Sequence, residues 1–364
     1  MKKRIYIKAY TNVNFGDDLF VKILCERYPH TKFYINCSHI QDKAFENIKN
    51  LTIMNRTHFK GLIINNFKKI IRKLRINMNF PYSGQVYIGG SIFIEFTESE
   101  LQNYYFKNLF NSKQSKNLPY YIVGANFGPY STPQFIEKHK EFFAKQVSDI
   151  CMRDYNSYSL FKDIPHVRYA PDIVFTYNMP ALSKKNRILI SCIYNDGREE
   201  IENFNNKDYA NKMIELCKYY LSLGKEIFLL SMCNNQKDQV MCYEIKRHFS
   251  ENVNVIEYNG NLDEILYLFA SSDYIIASRF HAMVLGLLSR TPVFPISYSD
   301  KTSNVISDLK FKGMHTTIGN FSSFSCKEID ANRLNSYILE IDTITSEAEK
   351  QFLKLDKFIK ETNQ

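Results

Sequence analysis

Arg279 and His281 stand two residues apart in a stretch, Tyr274 to Lys301, that reads as strand, polar turn, helix and strand. Tyr274–Ala277 is an apolar run of strand length, Ser278, Arg279, Phe280 and His281 form the turn, and Ala282–Leu288 is the apolar start of a helix. A second apolar run, Val293–Ile296, follows the break at Thr291 and Pro292, with Lys301 just beyond it. A guanidinium grips planar carboxylates and phosphates through a bidentate fork, and an imidazole carries a proton near neutral pH. Ligands of open parallel sheets bind at the carboxyl ends of strands, where helix N-termini favour anions. The pair therefore points to an anionic ligand and proton transfer. An ion pair for Arg279 and a capping neighbourhood for His281 are the plainer readings of an isolated Arg-x-His. The flanking strands and Lys301 place function ahead of them.

Such residues need a scaffold, and the chain supplies an alternation of strand-like and helix-like segments that predicts an α/β fold with parallel sheets. At 364 residues the chain exceeds one comfortable core, so two domains are expected. Strands are predicted at Arg4–Ala9, Lys32–Asn36, Gln85–Ile88, Tyr120–Val123 and Asp149–Met152, with helices at Asp17–Tyr28 and Pro133–Lys145. The polar, proline-containing segment Asn178–Asn186 reads as the linker. Alternation restarts after it, with strands at Ile188–Cys192, Glu226–Leu230 and Val253–Glu257 and helices at Lys207–Leu223, Gln236–Phe249 and Leu262–Ala270. The expected domains are residues 1–180 and 187–340, with a cleft between them. Residues 341–364, with a terminal helix over Ser346–Glu361, are expected to pack back on the first domain.

Bulk properties narrow the classes. Hydrophobic residues make up 45% of the chain, with 28 Phe and 25 Tyr, enough for large cores, yet no apolar run reaches the roughly 18–20 residues of a membrane span. The N-terminus has signal-like charges but no apolar stretch of sufficient length and reads as a first strand. Eight Cys are scattered without a C-x-x-C or zinc spacing, which suits reduced thiols, a cytoplasmic location and no structural metal. A net charge of +9 suggests acidic partners. Part of the excess lies in Lys68, Lys69, Arg72, Lys73 and Arg75, interleaved with an apolar stripe. This is the pattern of a helix lying on an anionic membrane, or of a surface helix packing its stripe on the core. No helix-turn-helix or base-stacking motif supports a nucleic-acid partner.

Further motifs sit at predicted strand ends. Asn14-Phe15-Gly16-Asp17-Asp18 follows the first strand; one aspartate caps the next helix, and the second leaves room for hydroxyl binding or a base. Gly89 and Gly90 follow the strand ending at Ile88, either as a tight turn or to let backbone approach a ligand. Gly124–Pro129 repeats the arrangement and adds Asn126, and Arg153 ends the next strand as a second guanidinium or as part of a capping network with Asp172. Neither glycine cluster matches a dinucleotide or Walker loop.

Taken together, N-x-G-D, G-G-S, N-F-G-P, M-R-D-x-x-S, A-P-D and S-R-F-H followed by S-Y-x-x-K resemble the polysaccharide pyruvyl transferase family over about residues 10 to 310. The resemblance implies two Rossmann-like domains in a glycosyltransferase-B-like arrangement, residues 1–180 on the acceptor side and 187–340 on the donor side. It implies transfer of the enolpyruvyl unit of phosphoenolpyruvate to a sugar diol, in capsule, exopolysaccharide or cell-wall glycan synthesis, with phosphoenolpyruvate as co-substrate and neither metal nor cofactor. Residue by residue, it places the family's Arg-x-His on Arg279 and His281, its second Arg on Arg153 and its Lys on Lys301. Phe280 stands where Leu is frequent and would contribute packing. His281 is then the expected general acid, because an imidazolium beside bound anions is favoured. Arg279 and Arg153 clamp carboxylate and phosphate, Lys301 faces the leaving phosphate, and Asp17 is the candidate base. Asn14, Gly16, Asp17, Gly89, Gly90 and Asn126 are the candidate acceptor contacts. A lipid-linked acceptor would place the protein peripherally at the inner face of the membrane. The alternatives are a glycosyltransferase of the same architecture using a nucleotide sugar, and a non-catalytic protein that binds glycan or assembly partners.

Overall fold

The structure is a computed structural model that describes residues 3–37, 42–54, 82–110, 118–197, 204–333 and 340–361. The basic segment from Lys68 to Arg75 lies outside them. The chain forms two compact α/β units. The first comprises Met1–Asn12, Phe20–Ala170 and Glu349–Gln364; the second comprises Val13–Leu19 and Pro171–Ala348. The main division thus falls at Ala170/Pro171, ahead of the Asn178–Asn186 segment expected to mark it. A short piece near the N-terminus, carrying Asn14, Gly16 and Asp17, belongs to the second unit and not to an N-terminal acceptor domain.

The first unit is built on strands β1 (Arg4–Lys8), β2 (Lys32–Ile35), β3 (Leu51–Ile53), β4 (Gly84–Ile88), β5 (Ser91–Phe93), β6 (Tyr120–Phe127), β7 (Asp149–Met152) and β8 (Val167–Tyr169). They pair in parallel in the order β3-β2-β1-β4-β6-β7-β8, with β5 pairing β6 beside that path. β6 and β7 are buried along their whole length. That is the condition of parallel strands covered on both faces, and it is why they read as continuous apolar runs.

Aromatic residues fill this core. His139, on helix Pro133–Gln146, lies among Phe93, Phe127, Phe135 and Phe143, its Nδ1 2.7 Å from the Phe135 carbonyl and its Nε2 2.9 Å from the Tyr105 hydroxyl. Burial lowers its pKa to about 4, so this imidazole is a neutral packing group. Residues 349–361 complete the unit. Gln351 is buried; its Oε1 accepts the Gly124 N–H at 3.0 Å and its Nε2 donates to the Ala170 carbonyl at 2.7 Å, satisfying backbone that the strands leave open. Asp356 receives Arg27 Nε and Nη2 at 3.0 and 2.7 Å. The expected single helix over Ser346–Glu361 is instead helix Ile341–Ala348, a 3-10 turn Glu349–Phe352 and helix Leu353–Lys360.

The second unit contains β9 (Arg187–Ser191), β10 (Glu226–Ser231), β11 (Val253–Glu257), β12 (Tyr274–Ala277), β13 (Val293–Ser297) and β14 (Thr316–Thr317), all parallel, in the order β11-β10-β9-β12-β13-β14. This is the doubly wound order, whose direction reverses between β9 and β12. β9, β12 and β13 are fully buried. Helix Asn206–Ser222 covers one face by burying Tyr209, Met213, Leu216, Cys217 and Tyr220 at helical spacing, and Asn205 caps it through bonds from Lys207 N and Asp208 N. Helix Cys326–Asn332 opens on a reciprocal capping box of Ser325 and Glu328. Among the described residues no Cys is in a disulfide, and seven of the eight are buried. Among the described residues no helix is long and apolar enough to cross a membrane.

Candidate functional site

The reversal between β9 and β12 creates the crevice at which such sheets bind ligands, and Ser278 to His281 leave β12 at that point. Ser191, the last residue of β9, fixes the turn. Its Oγ accepts the backbone N–H of Ser278 at 3.0 Å and of Arg279 at 3.1 Å. The Ser278 hydroxyl lies 2.7 Å from that of buried Tyr209. Arg279 then occupies the N-cap position of helix Phe280–Leu288, which puts His281 in the first helical turn.

Arg279 is buried, not spread over the surface. Its Nε donates to Asp238 Oδ2 at 2.9 Å, its Nη2 to Asp238 Oδ1 and its Nη1 to Gln236 Oε1. Burial opposes the guanidinium's charge, but Asp238 outweighs that and holds its pKa above the ordinary value. Asp238 is itself fully buried and also accepts the Cys233 N–H at 3.1 Å. Lys237, between the two acceptors, takes the left-handed conformation at φ 59°, uncommon away from glycine. Arg279 is thus a pre-positioned fork whose charge is matched inside the protein. Lys301 is half-exposed near the start of helix Asp300–Asp308, with its Nζ 5.4 Å from the Tyr298 ring; Arg279 Cζ lies 6.0 Å from the same ring.

His281 is half-exposed. Buried Phe280 packs edge-on to its ring at a centroid distance of 5.1 Å, so this position does contribute packing. The ring lies directly on Gly16: a methyl group built there would stand 1.8 Å from His281 Nδ1. Val13 enters this segment at φ 49°, a left-handed conformation rare for a β-branched residue. Asn14 pairs with Cys233 in an isolated antiparallel bridge, and Phe15 N donates to the Met232 carbonyl at 3.1 Å. Gly16 N donates to Asn14 Oδ1 at 3.0 Å. Asp17, half-buried, sits in the first turn of helix Phe15–Arg27, where the dipole favours a carboxylate. One loop, Met232 to Asp238, therefore seats both the Asn14 segment and Arg279.

The close approach makes Gly16→Ala a sharp probe. The added methyl must drive the His281 ring or residues 13–19 out of place, at about 1–3 kcal/mol. We expect a lower thermal midpoint and a displaced His281 ring in a crystal structure of the variant. An unchanged midpoint and ring position would show that the contact yields freely.

The remaining candidates belong to the first unit. Gly89 and Gly90 directly follow β4, and Asn126 lies in β6. Arg153 follows β7, is buried, and donates from Nη2 to Asn126 Oδ1 at 2.6 Å. The Ser91 hydroxyl shares that oxygen at 3.2 Å. A methyl on Gly90 would lie 2.6 Å from Arg153 Nη2, so glycine makes room for the guanidinium. Asp154 caps the helix Tyr155–Ser159: its Oδ1 accepts Ser157 N at 2.8 Å.

The structure thus gathers Asn14, Gly16, Asp17, Arg279, Phe280, His281 and Lys301 on the second unit, and Gly89, Gly90, Asn126 and Arg153 on the first. Sequence reasoning missed Gln236, Asp238, Ser191, Asp18 and Tyr258 as supports of the site. Gln236 and Asp238 were absorbed into a predicted helix over Gln236–Phe249; the observed helix begins at Asp238.

No curated protein matches the chain in sequence. Among solved structures, the UDP-GlcNAc 2-epimerase of Neisseria meningitidis bound to UDP-GlcNAc aligns at TM-score 0.58 and 14% identity, over 97% of this chain and 99% of that one. The Methanocaldococcus jannaschii UDP-GlcNAc 2-epimerase gives 0.54 and 12%, over 92% and 93%. Anabaena HepE in complex with UDP and glucose gives 0.53 and 11%, over 100% and 99%. These likenesses establish the fold class, two parallel α/β units of the glycosyltransferase-B type. The family model for polysaccharide pyruvyl transferase matches residues 14–300, a span that runs from Asn14 to the edge of Lys301 and takes in every other residue gathered above. With that match over most of its length, the chain belongs to the polysaccharide pyruvyl transferase family.

Proposed function

We propose that the protein is a phosphoenolpyruvate-dependent ketal pyruvyltransferase that modifies a sugar diol during capsule, exopolysaccharide or cell-wall glycan synthesis. Membership of a transferase family supports the reaction class. The observation that carries the proposal is the second-unit cluster, where an imidazole sits on Gly16 at the head of helix Phe280–Leu288, with a cationic fork beside it at the reversal of the sheet.

In this reading His281 gives a proton to the methylene carbon of phosphoenolpyruvate, leaving C2 cationic. A first sugar hydroxyl adds to C2, and Asp17 takes its proton. The C2–O bond to phosphate then breaks as the proton on Asp17 passes to the departing oxygen, and hydrogen phosphate leaves beside Lys301. A second hydroxyl adds to C2 and closes the ketal, and its proton restores His281. Arg279 orients the donor's anionic groups. Arg153, held by Asn126 in the first unit, is a further anion-binding candidate. Asn14 and Gly16 are proposed as acceptor contacts with Asp17. So are Gly89, Gly90 and Asn126 at the strand ends of the first unit. No metal or cofactor is invoked. A lipid-linked acceptor and a place at the inner membrane face remain part of the proposal.

The deciding experiment is phosphate release from phosphoenolpyruvate with a panel of galactosides, run beside nucleotide release from nucleotide sugars. We expect acceptor-dependent phosphate release and no nucleotide release. The reverse would make the protein a glycosyltransferase of the same fold; neither would point to a binding protein.

A further inference from the structure

Asp18 follows the candidate base and takes no part in the chemistry above. It is 1% exposed, in a segment whose backbone is under strain at Val13. Its Oδ2 accepts the hydroxyl of Tyr258 at 2.6 Å, while its Oδ1 is buried with no hydrogen-bond partner among the described residues. Tyr258 follows β11, is fully buried, and meets Phe15 edge-on at 5.4 Å. The titratable groups interacting with the carboxyl among the described residues are Tyr258 and, on its own helix, Asp17; helix Leu262–Ser271 contributes Phe269 against Phe15. Among the described residues no cation joins them.

We propose that Asp18 is a positioning residue: the hydrogen bond from Tyr258 latches residues 13–19 onto the second unit and so holds Gly16 against the His281 ring. The catalytic consequence rests on the function proposed above; the latch itself does not. A latch of this kind must respond to pH. Burial raises the carboxyl's pKa to about 8, with Tyr258 opposing and Asp17 adding to the rise. An acid whose pKa is raised in the docked state is stabilising below its free value and loses that contribution as pH climbs to the docked value. Docking is therefore strongest near pH 4 and weakens by about tenfold per pH unit until about pH 8.

The test is hydrogen exchange of the peptide spanning residues 13–19 in the full-length protein, read as protection factors from pH 5 to pH 9. The Phe15 and Asp18 amides, bonded to the carbonyls of Met232 and Asn14, are its reporters. Wild-type protection is expected to fall with pH and level off above about pH 8. Asp18→Asn keeps an acceptor for Tyr258 without an ionisable proton, and should abolish that pH dependence. Tyr258→Phe should lower protection about tenfold at pH 6, the loss of one hydrogen bond. In the turnover assay Tyr258→Phe should reduce kcat with little change in the KM for phosphoenolpyruvate, since it displaces the acid's support and not the anion contacts. Wild-type protection that is flat with pH, or identical in Asp18→Asn, overturns the latch whether or not phosphoenolpyruvate is the donor. If the latch behaves as expected but no variant changes turnover, the assignment of Asp18 as a positioning residue fails.

Discussion

His281→Ala should lower turnover on phosphoenolpyruvate by about 10²–10⁴-fold, the usual worth of a positioned general acid. Protonating the methylene carbon creates the electrophile, so without a donor the first step has no local proton source. The structure sharpens the choice of control. Phe280 and Gly16 confine the ring on two sides, so His281→Ala also removes packing. His281→Gln fills more of that space but supplies no proton, and it should be nearly as impaired. Donor affinity, measured by calorimetry with phosphoenolpyruvate alone, should weaken modestly in both variants because Arg279 and Lys301 remain. Turnover within tenfold of wild type in His281→Gln would return this residue to a packing role and move the acid elsewhere.

The second large effect should come from a residue that no motif singles out. Asp238→Ala leaves the Arg279 guanidinium buried without its carboxylate, and breaking such a pair costs about 3–5 kcal/mol. The urea midpoint of the transition reporting on the second unit should fall accordingly. Joining Asp238→Ala to Arg279→Met should recover much of that stability, because an apolar replacement of both partners carries no uncompensated charge. Turnover should not recover in the double variant if Arg279 also contacts the donor. A double variant with restored turnover would make Arg279 purely structural, the plainer reading of the Arg-x-His pair. The pairing also refines the expected roles of the cations. Arg279 is neutralised by Asp238, so half-exposed Lys301 is the better source of net attraction for phosphate.

Much of this protein was legible in its sequence because parallel strands buried on both faces leave an unmistakable mark. Tyr274–Ala277 and Ile188–Ser191 are uninterrupted apolar runs followed by polar turns, and periodic helices such as Asn206–Ser222 separate them. Pattern and order together were enough for an α/β fold with parallel sheets, for the place of Arg279 and His281 at a strand end, and for the family. Local pattern has no means of reporting which partners a side chain meets across the fold. Asp238 lies 41 residues from Arg279 in the chain, and Tyr258 lies 240 residues from Asp18. Burial, not type or spacing, gives those two carboxyls their character: one is locked to a guanidinium, the other shut away with a single phenol. The same holds for Gly16, whose need for glycine comes from the His281 ring lying on it and not from a turn of its own. Only the tertiary structure could assign residues 13–19 to the second unit, because the contacts that claim them, with Met232, Cys233, Tyr258 and His281, are all distant in sequence.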